Sequence, residues 1–216
     1  RYRFQEETQT TGNVQLDLGY SRNWDKTEAT CLRIIDSKTI AGYRYSTGWA
    51  KNQKIYFYSR FSQPVKHLNS SHQTLDGCST ETLHEFTGDL THSRELTIRT
   101  AISSVSIENA QLNLSHENDA LSFNEVKAEV EKAWRKELNQ VRIEADEDTL
   151  QKFYTALYHA ALAPRIYSDS NGQFRGPDGA VHQQSAHDYY DFFSLWDTFR
   201  ALHPWKTLFD NTRNQD

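Results

Sequence analysis

The apolar residues change their period part-way along the chain, and that change constrains the fold more than any other feature. In the first half they alternate. Val14, Leu16 and Leu18 are interleaved with Gln15 and Asp17. Cys31–Ile35, Thr39–Ser46 and Ile55–Phe61 follow as further runs, and Leu96, Ile98 and Ile102 alternate with Thr97, Arg99 and Ala101. Turn signals separate them at Gly12-Asn13, Asp36-Ser37, Asp76-Gly77 and Gly88-Asp89. Short strands at this spacing, with no helix between them, predict an antiparallel β-sandwich.

Near residue 109 the pattern changes, and after Ser122 it becomes helical. Ser122-Phe123-Asn124-Glu125 has the form of a capping box, in which the Ser side chain and the Glu side chain satisfy each other's backbone N–H groups. Val126, Val130, Ala133, Trp134 and Leu138 then recur on one face, opposite Lys127, Glu129, Glu131, Lys132 and Lys136. A break at Ile143–Glu147 follows, with an extended piece at Val141-Arg142-Ile143. A second helix is predicted from Asp148 to Ala163, with Pro164 as its stop. A polar loop runs from Pro164 to Phe192; Asn171-Gly172 is its hairpin-turn signal, and Pro177-Asp178-Gly179 adds another turn. A third helix is predicted from Ser194 to just before Pro204, and another from Trp205. Strands first and helices second imply two domains or segregated halves.

Several function classes are excluded by composition. The net charge is −5 and no Lys/Arg cluster is dense enough to follow a phosphate backbone, so nucleic acid is not an expected partner. No apolar run is long enough to span a membrane, and no basic start leads into an apolar segment. The chain starts at Arg1, contains no Met and stops soon after an apparent helix, so it is expected to be part of a longer polypeptide. Two cysteines, Cys31 and Cys78, cannot make a disulfide framework or a cysteine-rich metal site; one disulfide between them is the alternative, and on spacing and count separate thiols are the favoured expectation. The aromatic content is more informative: 5 Trp, 11 Tyr and 11 Phe in a chain poor in aliphatics. Such rings fill cores, but they also stack on the C–H faces of sugars.

Several stretches resemble glycoside hydrolase family 92, the calcium-dependent exo-α-mannosidases. They are Gly42–Ala50 with Ile55-Tyr56-Phe57, Ser106–Leu114, Phe153–Tyr158 and Pro164–Asp169. The longest is Tyr189-Tyr190-Asp191-Phe192-Phe193-Ser194-Leu195-Trp196-Asp197-Thr198-Phe199-Arg200-Ala201-Leu202-His203-Pro204. The resemblance runs nearly end to end, in order. It implies a multidomain fold: residues 1–114 as the later part of an N-terminal β-sandwich, 115–147 as a helical linker, and 148–216 as the first helices of an (α/α)6 catalytic barrel. It implies an inverting exo-α-mannosidase acting on terminal α-linked mannose, with α-1,2 linkage expected, and a bound calcium ion whose ligands, like the catalytic acid and base, lie outside these residues. The partners implied are a mannose-containing glycan and the remainder of the parent polypeptide, and the implied location is periplasmic, cell-surface or secreted.

By the same resemblance Asp197, Trp196 and Arg200 border the mannose subsite. A carboxylate suits this role because it accepts two hydroxyl hydrogen bonds with charge assistance. Asp197 also stands three residues after Ser194, where it could complete a capping box. Arg200 is expected to orient Asp197 or another carboxylate, and Trp196 to pack in a core beside the site. His182, His187, Asp188 and Asp191 lack the spacing of a zinc site, and Asp169-Ser170-Asn171-Gly172 lacks the terminal Glu of a calcium loop, so a hairpin turn is the better reading there. Glu6-Glu7 and Glu144–Asp148 are solvated charge runs. Two readings compete with the enzyme: a non-catalytic carbohydrate-binding sandwich module, and an inactive fragment.

Overall fold

The computed structural model describes residues 1–4, 10–68, 77–117, 119–184, 186–191 and 194–216. Glu6-Glu7, Asp76 and Phe192-Phe193 lie outside these described residues. The chain divides into two compact units, residues 1–120 with 169–183, and residues 121–168 with 184–216.

The first unit runs through a series of strands and then a helix: β1 (Tyr2–Arg3), β2 (Thr11–Asp17), β3 (Lys26–Asp36), β4 (Thr39–Thr47), β5 (Gln53–Phe61), β6 (Val65–His67), β7 (Leu83–Asp89), β8 (Glu95–Leu96), β9 (Ile98–Ser103) and α1 (Ile107–Glu117). Strands β3-β4-β5-β9 form one antiparallel sheet and β2-β7-β6 another, with β1 paired to β8. Leu32, Ile40, Phe57 and Phe61 from the four-stranded sheet meet Phe86, Leu18 and Leu96 in one core, with Val14, Leu16 and Val65 packed against it. The predicted antiparallel β fold is therefore present. Helix α1 covers the other face of the four-stranded sheet, setting Ala110 and Leu114 against Ala41 and Tyr58. This two-sided cover is why consecutive residues Thr39 to Gly42 are all buried.

Several local expectations are corrected. Gly12-Asn13 and Gly88-Asp89 are not turns: Gly12 pairs with Gly88 inside the β2–β7 ladder. A Cβ on Gly12 would meet the Phe4 ring at 2.5 Å, so close approach of a ring, not a turn, explains the glycine. The Asp36-Ser37 turn is present, joining β3 to β4, with Lys38 N–H donating to Asp36 Oδ1 at 2.7 Å. Cys31 and Cys78 are not separate thiols; they form a disulfide with Cα atoms 5.3 Å apart, a separation that bridging geometry accepts.

A histidine pair, one ring buried and one half-buried, ties β6 to β7. His84 is fully buried, and its Nε2–H donates to Glu81 O at 2.9 Å. That leaves Nδ1 to accept from His67 Nε2–H at 3.3 Å. Burial holds both imidazoles below their usual pKa, and for His84 the neighbouring His67 adds to the effect. The folded state therefore resists protons that the unfolded chain accepts at about pH 6.5. Above that pH both states are neutral and nothing is lost; as pH falls through it, stability drops. Urea midpoints at pH 8, 7, 6 and 5 are expected to stay level and then fall below about 6.5, and the fall should shrink in His84→Gln.

The second unit begins with α2 (Phe123–Leu138), where the capping box is formed: Ser122 Oγ accepts from Glu125 N–H, and Glu125 Oε2 accepts from Ser122 N–H at 2.7 Å. Residues 141–146 pair with no strand. Helix α3 (Glu147–Ala160) is capped by Asp146, whose Oδ1 accepts from Thr149 N–H at 3.0 Å, and it ends three residues before the predicted Ala163. Trp134 of α2 meets Tyr158 of α3 at 4.7 Å between ring centroids. The stretch predicted as a long loop contains a hairpin, β10 (Gln173–Arg175) with β11 (Val181–Gln183), which belongs to the first unit.

In place of the helix predicted from Ser194 to just before Pro204 there is a single turn, α4 (Leu195–Thr198), and the helix predicted from Trp205 starts earlier, as α5 (Leu202–Phe209), followed by α6 (Asn211–Gln215). Pro204 does not stop a helix; it is the third residue of α5, in the first turn, where its missing N–H forfeits no intrahelical bond.

Candidate functional site

Asp197 lies in the one-turn α4 and is exposed, as are Trp196 and Arg200. Ser194 makes no side-chain cap bond there, so the alternative use of Asp197 as the partner in a capping box is not realised. Among the described residues no hydrogen bond or ion pair occupies the Asp197 carboxylate. A single turn also carries little macrodipole, so the helix does little to hold the carboxylate. Trp196 is 82% exposed, with Phe199 at 6.0 Å, and does not pack in a core. The Arg200 guanidinium lies over the Phe199 ring at 5.3 Å and does not pair with Asp197.

Thr198 ties this turn to α5. Its Oγ1 lies 2.9 Å from His203 Nε2. His203 lines a cleft of about 270 Å³ with Pro164, Tyr189, Tyr190, Lys206 and Arg213. Lys206 is buried at 4% exposure, and burial, aided by nearby Arg213, pushes its ammonium below the usual range while Asp210 opposes the shift. Arg213 bridges Asp210 at 3.1 Å and Glu137 of α2 at 3.4 Å, and Lys206 stands 3.6 Å from Asp210. These charges lock α5 and α6 to α2 within the second unit. The spacing of Lys206, Asp210 and Arg213 along one helical face was the signal available in the sequence, and it was not singled out.

The other residues weighed as metal ligands have ordinary partners. His182 Nε2 lies 3.0 Å from both Asp178 oxygens and its ring stacks on Phe174. His187 meets Gln184 at 3.0 Å, and Asp191 Oδ1 accepts from Arg165 N–H at 2.8 Å.

Asp169 is the residue that sequence reasoning most undervalued. Its carboxylate is buried at 6% exposure. Oδ2 accepts from Ser103 Oγ at 2.6 Å and Asn109 Nδ2 at 2.8 Å, and Oδ1 accepts from Asn113 Nδ2 at 2.7 Å. Asn113 Oδ1 in turn accepts from Ser170 N–H at 2.8 Å. A turn closes here, with Gly172 N–H donating to Asp169 O at 2.7 Å. Asn171-Gly172 therefore precedes the hairpin rather than forming its loop, which runs from Gly176 to Ala180. Arg175 reinforces the docking by donating to Ser104 O at 2.8 Å and Val105 O at 3.1 Å. Asn109 and Asn113, four apart in α1, were the available signal: two amides on the inward face of a helix require a polar partner.

Residues 1–103 match the family described as the glycosyl hydrolase family 92 N-terminal domain, and residues 109–216 match the one described as the glycosyl hydrolase family 92 catalytic domain. No curated protein matches the chain. Among solved structures, the family GH92 α-mannosidase BT3965 from Bacteroides thetaiotaomicron is similar at 36% identity and TM-score 0.82, over 91% of this chain and 28% of that one. The family GH92 inverting mannosidase BT2199 from Bacteroides thetaiotaomicron VPI-5482 is similar at 28% identity and TM-score 0.73, over 90% of this chain and 27% of that one. The GH92 glycosyl hydrolase ccman5, at 24% identity and TM-score 0.80 over 94% of this chain and 28% of that one, shares the fold. The chain thus spans little more than a quarter of the length of these relatives.

Proposed function

The chain belongs to glycosyl hydrolase family 92, and from that premise we propose that it is a segment of an inverting exo-α-mannosidase in which Asp197, Trp196 and Arg200 form part of the wall that holds terminal mannose. The observation that carries this reading is the ordered match of both family domains, 1–103 and then 109–216, together with the unoccupied, exposed carboxylate of Asp197 in the motif turn. An inverting glycosidase needs two carboxyl groups about 6.5–9.5 Å apart, one to protonate the leaving oxygen and one to activate water on the opposite face. The residues present are assigned to binding and orientation. Asp197 accepts hydroxyl hydrogen bonds, Trp196 offers a ring face, and Arg200 stiffens the turn against Phe199.

The family resemblance also implies calcium, a hard cation that vicinal sugar hydroxyls can chelate. Among the described residues no three His, Cys, Asp or Glu side chains gather into a group that could hold a metal ion. The ion's ligands, like the acid and base, are assigned to the rest of the parent polypeptide. A periplasmic, surface or secreted location is supported by the Cys31–Cys78 disulfide, since such bonds persist in oxidising compartments. An α-1,2 preference rests on the resemblance alone.

Mannose release from α-1,2-mannobiose, with calcium and then with a chelator, tests the enzyme reading on the parent polypeptide. Loss of release on chelation is expected, and unchanged release would remove calcium from the proposal. Asp197→Ala is expected to weaken mannose binding by ~2 kcal/mol, about thirtyfold. Titration calorimetry showing equal affinity would exclude Asp197 from the wall.

A further inference from the structure

Trp24 and Trp49 stand on two turns of the first unit, Trp24 between β2 and β3 and Trp49 between β4 and β5. They are 67% and 82% exposed, with ring centroids 5.7 Å apart and planes at 82°. A single exposed Trp needs no explanation, but two in contact make an apolar corner.

The corner is built rather than accidental. Arg44 reaches from β4 under the Trp24 turn, donating to Leu18 O at 3.0 Å, Tyr20 O at 3.2 Å, Thr27 Oγ1 at 2.9 Å and Asp25 Oδ2 at 2.5 Å. The Arg44 hydrogen bond holds the Asp25 carboxyl below its usual range. The Trp49 turn touches the Trp24 turn backbone to backbone: a Cβ on Gly48 would meet Asp25 Cα at 3.1 Å and Trp24 O at 3.4 Å. Asn23 and Asn52, at φ 57° and 55°, complete the two turns in left-handed conformations that Asn tolerates. Both are exposed, as is Lys51.

Two exposed indoles in contact suit a ligand that has a C–H face, which is the chemistry of a hexose ring. The geometry points to a sugar-binding platform at Trp24 and Trp49 that engages a hexose of the glycan, in addition to the contacts assigned to Asp197 of the second unit. Little backbone ordering is left to be done on binding, because Arg44 and the close approach at Gly48 already hold the two turns. The class of sugar, mannose-rich glycan, rests on the proposed function; the platform itself rests on the two rings.

Affinity electrophoresis of the full chain through gels containing α-mannan tests it. The platform predicts retardation by mannan that is weakened at least tenfold in Trp24→Ala/Trp49→Ala. Both rings are largely exposed, so the double variant should keep its urea midpoint. Equal retardation of the double variant and the unaltered chain would overturn the platform, as would a lack of retardation altogether. A double variant with lowered urea stability and unaltered retardation would instead make the pair a packing surface. Mannobiose hydrolysis by the parent is a separate readout: hydrolysis without mannan retardation leaves the enzyme reading and removes the platform, whereas tryptophan-dependent retardation without hydrolysis does the reverse.

Discussion

Asp169→Ala is expected to lower the unfolding free energy of the first unit by about 4 kcal/mol, because three donors lose a charged acceptor in a site closed to water. Ser103 Oγ and the amides of Asn109 and Asn113 all point at this carboxylate, and each buried donor left unsatisfied costs about 1–3 kcal/mol. Asp169→Asn separates charge from shape. The Asn113 amide cannot turn to accommodate it, since Nδ2 also donates to Ile102 O at 3.0 Å and Oδ1 accepts from Ser170 N–H at 2.8 Å. The NH2 group introduced by this change would then face another donor, so the isosteric change is expected to cost about half as much as alanine. Urea unfolding gives the magnitude, and hydrogen exchange over residues 169–183 gives the place: the hairpin should lose protection before β5 and β9 do. Uniform exchange across the first unit, or an Asp169→Ala protein as stable as the original, would show that the three bonds do not anchor the hairpin.

That anchor also shows where sequence reading stops. Strands β2 to β5 and β9 were legible because an alternating apolar pattern has one common cause, a face turned to a core. Strand β7 was missed because two of its inward positions are His84 and Gly88, one polar and fully buried, the other small to suit a crowded ladder. Helix α1 was missed for a related reason. Its inward face carries Asn109 and Asn113 beside Ala110 and Leu114, so hydrophobic periodicity is diluted by amides whose partner, Asp169, is remote in sequence. A period argument sees only burial that is apolar.

The candidate site has the opposite character. Asp197, Trp196 and Arg200 were found through the resemblance of a long motif, and nothing in their local pattern marks them, since all three are exposed in or beside a four-residue helix. Local reasoning allowed a capping box for Asp197 and favoured a core for Trp196, and neither is formed. The Trp24–Trp49 corner escaped notice because its rings come from separate turns brought together by Arg44 and Gly48, contacts that exist only once β2 to β5 have paired. The capping boundary at Ser122 and Glu125 was read correctly because its logic is complete within four residues.

Removing the Cys31–Cys78 bond is expected to destabilise the first unit by about as much as removing the Asp169 carboxylate. The residues are 47 apart, and closing a loop of that size restricts the unfolded chain by about 4 kcal/mol at 25 °C. The bond sits beside a backbone bridge in which Leu32 and Ser79 exchange hydrogen bonds of 2.8 Å, so both cysteines are placed by the fold and are not dragged into contact. Cys31 is fully buried and Cys78 nearly so, which protects the bond from exchange with external thiols while the unit stays folded. Reduction is therefore expected to need denaturant, and the Cys31→Ala/Cys78→Ala chain should unfold at lower urea with its fold intact. Thiol titration of the denatured, unreduced protein decides the matter: no free thiol means that the bridge forms and that the chain matures in an oxidising compartment, whereas two thiols per chain would remove both the stabilisation and the argument for an exported enzyme.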